Sequence, residues 1–336
     1  VLSEFDRWRE RGLLNDKGLP RLIYAQSYFL EQGHSFEELE GLFNLWSGIP
    51  EYIVIQGTKV ERSETKRKYV AVKCSKRGND VYNWRIGKKL DLFKQIDDIE
   101  FFKWSDKNPK TKAIFVTLTF DPKICSIRHA WENIGKDWNR YISNLRRKFG
   151  KIEAIRSWEA YENGYPHIHA LLVFRDVDFN VFLDVNNKFR IKEKGRFEHW
   201  HSFVDVQAVR TYQGALRYVT KEIFKVHIFG DQDYKKYRLT LSFLWLFRKQ
   251  AFSISGGLID LIRDLCNSNM GKVGQVDLVG IPIDEGWSWK LIGVYSCWAL
   301  GLKGDSWVSV LPNSVGKRLK EIDVKGGVSK PVVSWL

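Results

Sequence analysis

Two histidines lie one residue apart at the start of an apolar run, in the segment GYPHIHALLVF of residues 164–174. In a β-strand, alternate side chains project from the same face, so His167 and His169 would point together while Ile168 and Leu172 point into a core. Two imidazoles on one face can hold a metal ion, and they can equally be two surface residues. The pair alone does not decide between these interpretations.

A third ligand is expected across a hairpin. If the turn is centred on Gly164, Glu159 lies opposite His169. Positions of equal parity share a face, so Glu159, His167 and His169 would converge on one ion. Two nitrogens and one oxygen suit Mn²⁺ or Mg²⁺ with open positions, and Zn²⁺ would also fit. Glu162, in the turn, is the weaker substitute for Glu159.

A helix predicted over residues 208–224 carries further reactive side chains. Tyr218 and Lys221 are three positions apart, and Tyr218 and Glu222 are four apart, so they lie on one helical face. A tyrosine–lysine pair of this kind arises by chance in any long helix. It has weight only because a histidine strand and a β-branched strand precede it.

Hydrophobic periodicity predicts the elements that must hold these side chains in place. In chain order they are a strand over 114–120, a helix over 129–149 that ends at Gly150, strands over 153–161 and 167–174, and the helix over 208–224. This β-α-β-β-α order predicts an α+β fold of the ferredoxin or RRM type, βαββαβ, in which helices cover one face of an antiparallel sheet.

Charge points to a polyanionic partner. The chain carries 54 basic and 40 acidic side chains, a net charge of +14, which favours nucleic acid. Residues 59–94 hold twelve basic and four acidic side chains, and strands predicted at 69–74 and 81–84 would make this segment a basic hairpin. The side chains expected to contact DNA are Lys76, Arg77, Lys88, Lys89 and Arg217.

Cysteine usage and apolar runs narrow the class of protein. The four cysteines are far apart and form no CxxC pair, which argues against a thiolate zinc site and a disulfide scaffold, and indicates reduced thiols in a cytoplasmic protein. No run approaches the roughly 18 apolar residues of a membrane span. The chain begins with Val1 and its only methionine is Met270, so a piece of a longer chain is expected.

Together these residues resemble the signatures of the HUH endonucleases, and within them the rolling-circle replication initiators. The three family motifs are matched in order by residues 115–120 (FVTLTF), 167–169 (HIH) and 218–221 (YVTK), with an acidic ligand eight positions before the first histidine. The resemblance covers about residues 111–230, and initiators of archaeal plasmids or viruses are the most similar. The spacer before Tyr218 is longer than compact members need, which predicts extra strands or a DNA-binding insert.

The resemblance implies site-specific, metal-dependent nicking and closing of single-stranded or hairpin DNA at a replication origin, through a 5′-phosphotyrosine. Host replication proteins would be further partners, and no membrane would be involved. The roles it implies are catalysis by Tyr218 and Lys221, binding of Mn²⁺ or Mg²⁺ by Glu159, His167 and His169, and auxiliary roles for Glu222, Thr117 and Thr119.

The same resemblance implies three regions. Residues 1–110 would be a helical and basic-hairpin region that binds DNA, with a helix capped at Ser35. Residues 111–240 would be the HUH catalytic domain, and residues 241–336 have no assigned role.

Three other interpretations stay open. In a conjugative relaxase the tyrosines precede the histidines, and only Tyr24 and Tyr28 are available here. An HUH transposase has the right motif order but is usually a shorter chain. A non-catalytic nucleic-acid-binding domain of the RRM type shares the topology but needs neither the tyrosine nor the ligand trio. A protein–DNA adduct that depends on a divalent ion would separate the enzymes from the binding domain.

Overall fold

The computed structural model describes residues 4–13, 35–94, 100–104, 109–211, 231–258, 260, 286–314 and 319 of the 336-residue chain. Its α-helices are α1 (Glu4–Glu10), α2 (Phe36–Gly48), α3 (Asp80–Lys94), α4 (Ile127–Phe149), α5 (Asp231–Leu246) and α6 (Cys297–Leu300), and a 3₁₀ helix spans Lys194–Phe197. Its strands are β1 (Glu51–Glu61), β2 (Glu64–Lys73), β3 (Phe102–Lys103), β4 (Lys110–Thr111), β5 (Ala113–Thr119), β6 (Ile152–Ala160), β7 (Pro166–Phe174), β8 (Phe179–Leu183), β9 (Phe189–Ile191), β10 (Val204–Ala208), β11 (Phe252–Ile254), β12 (Ser288–Ser296) and β13 (Val308–Leu311).

A five-stranded sheet in the order β10-β5-β7-β6-β11 contains the histidine strand, and every neighbouring pair in it is antiparallel. Helix α4 packs on one face of it, where Phe149 meets Phe174 with ring centroids 5.6 Å apart and Trp138 meets Trp158 at 6.3 Å. The combination of helices and antiparallel sheets confirms the predicted α+β class.

Helix α4 has the ends that its sequence predicts. Ser126 caps its start, because the Ser126 side chain accepts a hydrogen bond from the His129 amide. Gly150 ends it with a φ of 79°, and the Gly150 amide donates to the Arg146 carbonyl. The buried side chains of the helix, which recur every three or four residues, are Ala130, Trp131, Ile134, Trp138, Tyr141, Ile142, Leu145 and Phe149.

The apolar side of β7 supports a prediction about stability. Ile168 and Leu172 are fully buried. We expect Ile168→Ala and Leu172→Ala each to lower the free energy of unfolding by on the order of 2–5 kcal/mol, because each change leaves a cavity in a packed core. Denaturant unfolding measures this loss. Val185→Ala is the control, since Val185 is 97% exposed; core variants as stable as this control would show that the face is not packed.

The spacer after β7 contains the extra strands that its length predicts. Strands β8 and β9 form a hairpin and join β3 and β4 in a four-stranded sheet, in the order β3-β4-β8-β9. Strand β10 returns to the central sheet and pairs with β5. The helix predicted from residue 208 is wrong at its start: Val204, Val206 and Ala208 are buried at alternate positions and pair as a strand. Residues 212–230 lie outside the described part of the chain.

The basic hairpin lies earlier in the chain than the sequence indicated. Strands β1 and β2 form it, joined by Arg62 and Ser63, both with positive φ. The strand predicted over 81–84 is wrong, because helix α3 occupies this stretch. The Asn79 side chain accepts a hydrogen bond of 2.8 Å from the Tyr82 amide, so the polar turn before residue 80 caps a helix and does not close a hairpin.

Contacts divide the chain into two compact units. One consists of Val1–Phe43 and Lys89–Met270, and the other of Asn44–Lys88 and Gly271–Leu336. The second unit holds the four-stranded sheet β12-β1-β2-β13. Parts of the first and third predicted regions therefore share one unit, and the roles expected for the three regions stay predictions. Among the described residues, no helix combines the length and apolar character needed to cross a membrane.

Candidate metal centre on the central sheet

The hairpin of β6 and β7 brings Glu159 and both histidines to one face of the sheet. Glu159 pairs with His167, and Ser157 pairs with His169. The register centred on Gly164 is therefore wrong by two residues. Because a shift of two keeps the parity of every position, the three predicted ligands still share a face.

Loop length explains the register. The Tyr161 amide donates to the Tyr165 carbonyl at 2.9 Å, so the strands close across these two residues and the centre of the loop is Asn163. Gly164 is the residue with positive φ, 81°, which a glycine adopts without strain. The glycine marks the bend in the loop and not its midpoint.

The three side chains converge on a common point. The Nε2 atom of His169 lies 2.8 Å from Oε2 of Glu159, and the Nε2 atom of His167 lies 3.4 Å from the same oxygen. One ligand atom from each residue lies within 4.8 Å of the others, as a group that can hold a metal ion requires. All three side chains are buried.

Electrostatics keeps this group ready for a cation. Burial raises the pKa of Glu159, but hydrogen bonds and charge from His167 and His169 outweigh burial and hold that pKa well below the ordinary value of a glutamate. Glu159 is therefore a carboxylate at neutral pH. A buried carboxylate beside two imidazoles is a donor set that fits a divalent ion.

Thr117 orients one of the predicted ligands from the neighbouring strand. A hydrogen bond of 3.2 Å joins Thr117 Oγ1 and His169 Nδ1, and the Phe115 ring stacks on the His169 ring with centroids 5.8 Å apart. When Nδ1–H donates to the threonine, Nε2 is left as the metal-binding nitrogen. This contact gives a physical content to the auxiliary role predicted for Thr117.

The Thr117 contact leads to a prediction about metal affinity. We expect Thr117→Val to weaken Mn²⁺ binding by about tenfold, because the hydrogen bond that orients the His169 ring is lost while the side chain keeps its shape. Calorimetric titration with Mn²⁺ measures the change. Thr119→Val is the matched control, since Thr119 lies opposite His167 on the same strand. Equal affinities for the two variants would remove the orienting role from Thr117.

Both faces of β7 are buried, including the one that carries the histidines. Leu171 and Val173, which share that face with His169, are buried as well. Tyr161 is 42% exposed, and its ring lies 3.7 Å from the His167 ring, centroid to centroid. The histidines are thus not the surface residues that one of the two sequence interpretations allowed.

Ser157 is a neighbour of the centre that the sequence analysis missed. It is buried, lies directly opposite His169 and shares its face with Glu159. Its parity with Glu159 was the available signal. The weaker candidate ligand, Glu162, is exposed in the loop and does not belong to the group.

The tyrosine motif lies outside the described residues. This applies to Tyr218, Lys221, Glu222 and Arg217, whose predicted roles remain predictions. The structure therefore brings together the three predicted metal ligands and leaves the predicted nucleophile untested.

One of the predicted DNA contacts does not fit its position. Lys76 is buried, and its ammonium group lies 3.2 Å from Glu51 and donates to the Ile49 carbonyl at 3.0 Å. Burial lowers the pKa of Lys76, and the nearby Glu51 opposes that effect. Lys76 holds its own unit together and does not face DNA.

The other residues of this set differ in exposure. Lys88 is exposed, and its ammonium lies 5.9 Å from the centre of the Trp84 ring. Arg77 is partly buried and bonds Tyr82. The side chain of Lys89 lies outside the described part.

Comparison with known proteins agrees with this placement of the site. A search of curated proteins and a search of solved structures each gave no match. The model of one protein family, the replication-associated proteins of the ORF2 type, matches residues 113–227. The match begins at β5, includes Glu159 and both histidines, and extends through the tyrosine motif. Residues 113–227 are therefore similar to the ORF2-type replication-associated proteins, and this similarity supports a rolling-circle replication initiator.

Proposed function

We propose that the chain nicks and rejoins single-stranded DNA at a specific origin site, with a divalent metal ion and a 5′-phosphotyrosine intermediate, and so starts rolling-circle replication. One observation carries the proposal. The buried group of Glu159, His167 and His169 lies within the segment that matches the replication-associated family. A domain that only bound nucleic acid would have no use for a carboxylate and two imidazoles gathered at one buried point.

The proposed step is an exchange of phosphate esters. The Tyr218 hydroxyl loses its proton, its oxygen bonds to the scissile phosphorus, and the bond from phosphorus to the 3′ oxygen breaks. The 3′ oxygen takes a proton and leaves as a free hydroxyl, while the 5′ phosphate stays on the tyrosine. In the reverse step a 3′-hydroxyl attacks the phosphotyrosine, so closing needs no ATP.

The nucleophile needs help at neutral pH, because an ordinary tyrosine has a pKa of about 10. A divalent ion at Glu159, His167 and His169 would supply positive charge that stabilises the phosphate oxygens in the transition state. Lys221 is one helical turn from Tyr218 and would steady the phosphate as a fixed positive charge.

The donor set limits the choice of metal. Two imidazole nitrogens and one carboxylate oxygen suit Mn²⁺, and Mg²⁺ would bind with more of its positions filled by water. We propose one of these two ions. An archaeal source, host replication proteins as partners and a cytoplasmic location stay predictions from the sequence.

An adduct assay tests this function. Single-stranded oligonucleotides from the replicon, labelled at the 3′ end, are incubated with the chain in Mn²⁺ or in EDTA and run on a denaturing gel. We expect a labelled protein–DNA band in Mn²⁺ only, because the 5′ phosphate of the labelled product stays on the tyrosine. Cleavage without an adduct, or an adduct that forms equally in EDTA, would contradict the proposal.

A further inference from the structure

The second compact unit carries a pair of stacked tryptophans beside a lysine. The Trp287 and Trp289 rings lie with centroids 6.2 Å apart and planes 30° from parallel. The Lys68 ammonium lies 4.2 Å from the centre of the Trp287 ring and 5.1 Å from that of Trp289. Both tryptophans and the lysine are partly exposed. An aromatic surface with a cation at its edge is thus presented to solvent.

The strand register builds this surface. Gly57 on β1 pairs with Trp289 on one side and with Lys68 on the other, so these residues form one row across the sheet. A Cβ atom at Gly57 would lie 2.9 Å from the Trp289 ring and 3.0 Å from the Trp287 ring. The glycine therefore gives the two indoles a seat against the strand.

The row belongs to the outer face of the four-stranded sheet. The inner face holds a hydrophobic cluster that includes Tyr52, Val54 and Leu300. On the outer face, Leu291 is 47% exposed and Val310 is 73% exposed. One sheet face is thus committed to a core, while the other offers aromatic, apolar and basic side chains to a partner.

Charge extends the basic character of this face toward the hairpin tip. Lys59 and Lys66 pair across the strands in the next row, and Glu61 lies 2.7 and 2.5 Å from their ammonium groups. One carboxylate thus offsets two cations. Residues 44–88, which form the first segment of this unit, carry ten basic and four acidic side chains. A partner with repeated negative charge complements such a surface.

Unpaired nucleotides combine the two chemical features that this face recognises. Single-stranded nucleic acid is held by aromatic rings that stack on its bases and by cations that follow its phosphates. The bases of a duplex already stack on each other and leave no ring face for an indole. We propose that the outer face of this sheet, centred on Trp287, Trp289 and Lys68, is a binding surface for single-stranded DNA. The proposal rests on the second unit alone and stands without the nicking chemistry.

A binding measurement on the full chain tests the aromatic part. Fluorescence anisotropy of a labelled oligo-dT is followed in EDTA, so that nicking does not interfere. We expect the double change Trp287→Leu and Trp289→Leu to weaken binding by about tenfold, since stacking is lost. The matched change to Phe at both positions keeps a flat ring and should retain most of the affinity. Equal affinity of the Leu and Phe variants would overturn the proposal.

The lysine is tested by salt dependence. Lys68→Gln should lower the slope of log affinity against log salt by about 0.7, the value for one phosphate contact on a single strand. Lys290→Gln is the control on β12, because Lys290 is exposed and pairs with Gln56, which faces the core side. The control should leave the slope unchanged. The same slope for both variants would contradict a phosphate contact at Lys68.

A change in the DNA guards against a variant that fails to fold. An oligonucleotide with abasic sites keeps its phosphates but offers no bases. If the tryptophans stack on bases, losing bases and losing tryptophans should cost less together than the sum of the two separate losses. Additive losses would overturn the proposal. Should circular dichroism show that the Leu variant is unfolded, the Phe variant and Lys68→Gln decide the outcome on oligo-dT against abasic DNA.

Self-association is the competing use of this face. If a second copy of the chain covers it, Leu291→Lys should dissociate an oligomer in sedimentation experiments while affinity for oligo-dT stays at the parental value. That pair of results would overturn the DNA-binding proposal. A sedimentation coefficient that does not change, together with the tryptophan effect, supports it.

Discussion

Tyr218→Phe is expected to abolish nicking and the covalent protein–DNA adduct and to leave DNA affinity within about twofold of the parent. The change removes a single oxygen atom, and that oxygen is the one proposed to bond phosphorus. The aromatic ring stays, so packing and stacking contacts are kept. Denaturing gels measure the adduct, and anisotropy in EDTA measures affinity.

The other tyrosines near this position provide matched controls. Tyr212→Phe and Tyr234→Phe make the same chemical change within the same stretch of sequence. Both should form the adduct at the parental rate. If Tyr218→Phe still formed it and one of the controls did not, the nucleophile would be that other tyrosine.

Removal of either histidine should eliminate metal binding at the centre. We expect His167→Ala and His169→Ala each to weaken Mn²⁺ affinity by at least about a hundredfold, since loss of one of three ligands exceeds the 10–100-fold effect of losing an orienting neighbour. Glu159→Gln keeps size and shape but removes the charge, so excess Mn²⁺ should partly restore activity. Calorimetric titration with Mn²⁺ measures all three variants.

Controls separate the loss of a ligand from the loss of the fold. Glu162→Gln repeats the Glu159 change in the exposed part of the same hairpin, and His129→Ala repeats the histidine change at an exposed helix position. Both should bind Mn²⁺ as the parent does. Because His167 and His169 are buried, circular dichroism must show that their variants are folded. A folded His169→Ala chain that binds Mn²⁺ as tightly as the parent would remove the metal centre.

Much of the site could be predicted because it depends on local pattern and parity. The alternation of His167 and His169 placed both on one face, and the parity of Glu159 placed it with them. These inferences survived a register that is wrong by two residues, because an even shift exchanges partners without exchanging faces. Helix α4 was equally predictable, since its apolar period and its Gly150 stop are both local signals.

The rest depends on contacts between distant parts of the chain. Strand β12, residues Ser288–Ser296, pairs with β1, residues Glu51–Glu61, and no local pattern announces this partnership. The burial of Lys76 is of the same kind, because its ion partner Glu51 lies 25 positions earlier and adjoins it only after β1 and β2 pair. The Asn79 cap was a local signal, but the turn residues before it are equally typical of a hairpin.

Peptide mapping of the protein–DNA adduct tests the central claim most directly. Trypsin cleaves after Arg210, Arg217 and Lys221, so Tyr218 falls in the peptide 218–221 (YVTK), while Tyr212 and Tyr234 fall in the separate peptides 211–217 and 226–235. The adduct is formed in Mn²⁺, its DNA is trimmed with nuclease, and the peptides are weighed by mass spectrometry. We expect a nucleotide mass on peptide 218–221, present with the parental chain and absent with His169→Ala. A nucleotide on another peptide, or the same yield from His169→Ala, would contradict a metal-assisted attack by Tyr218.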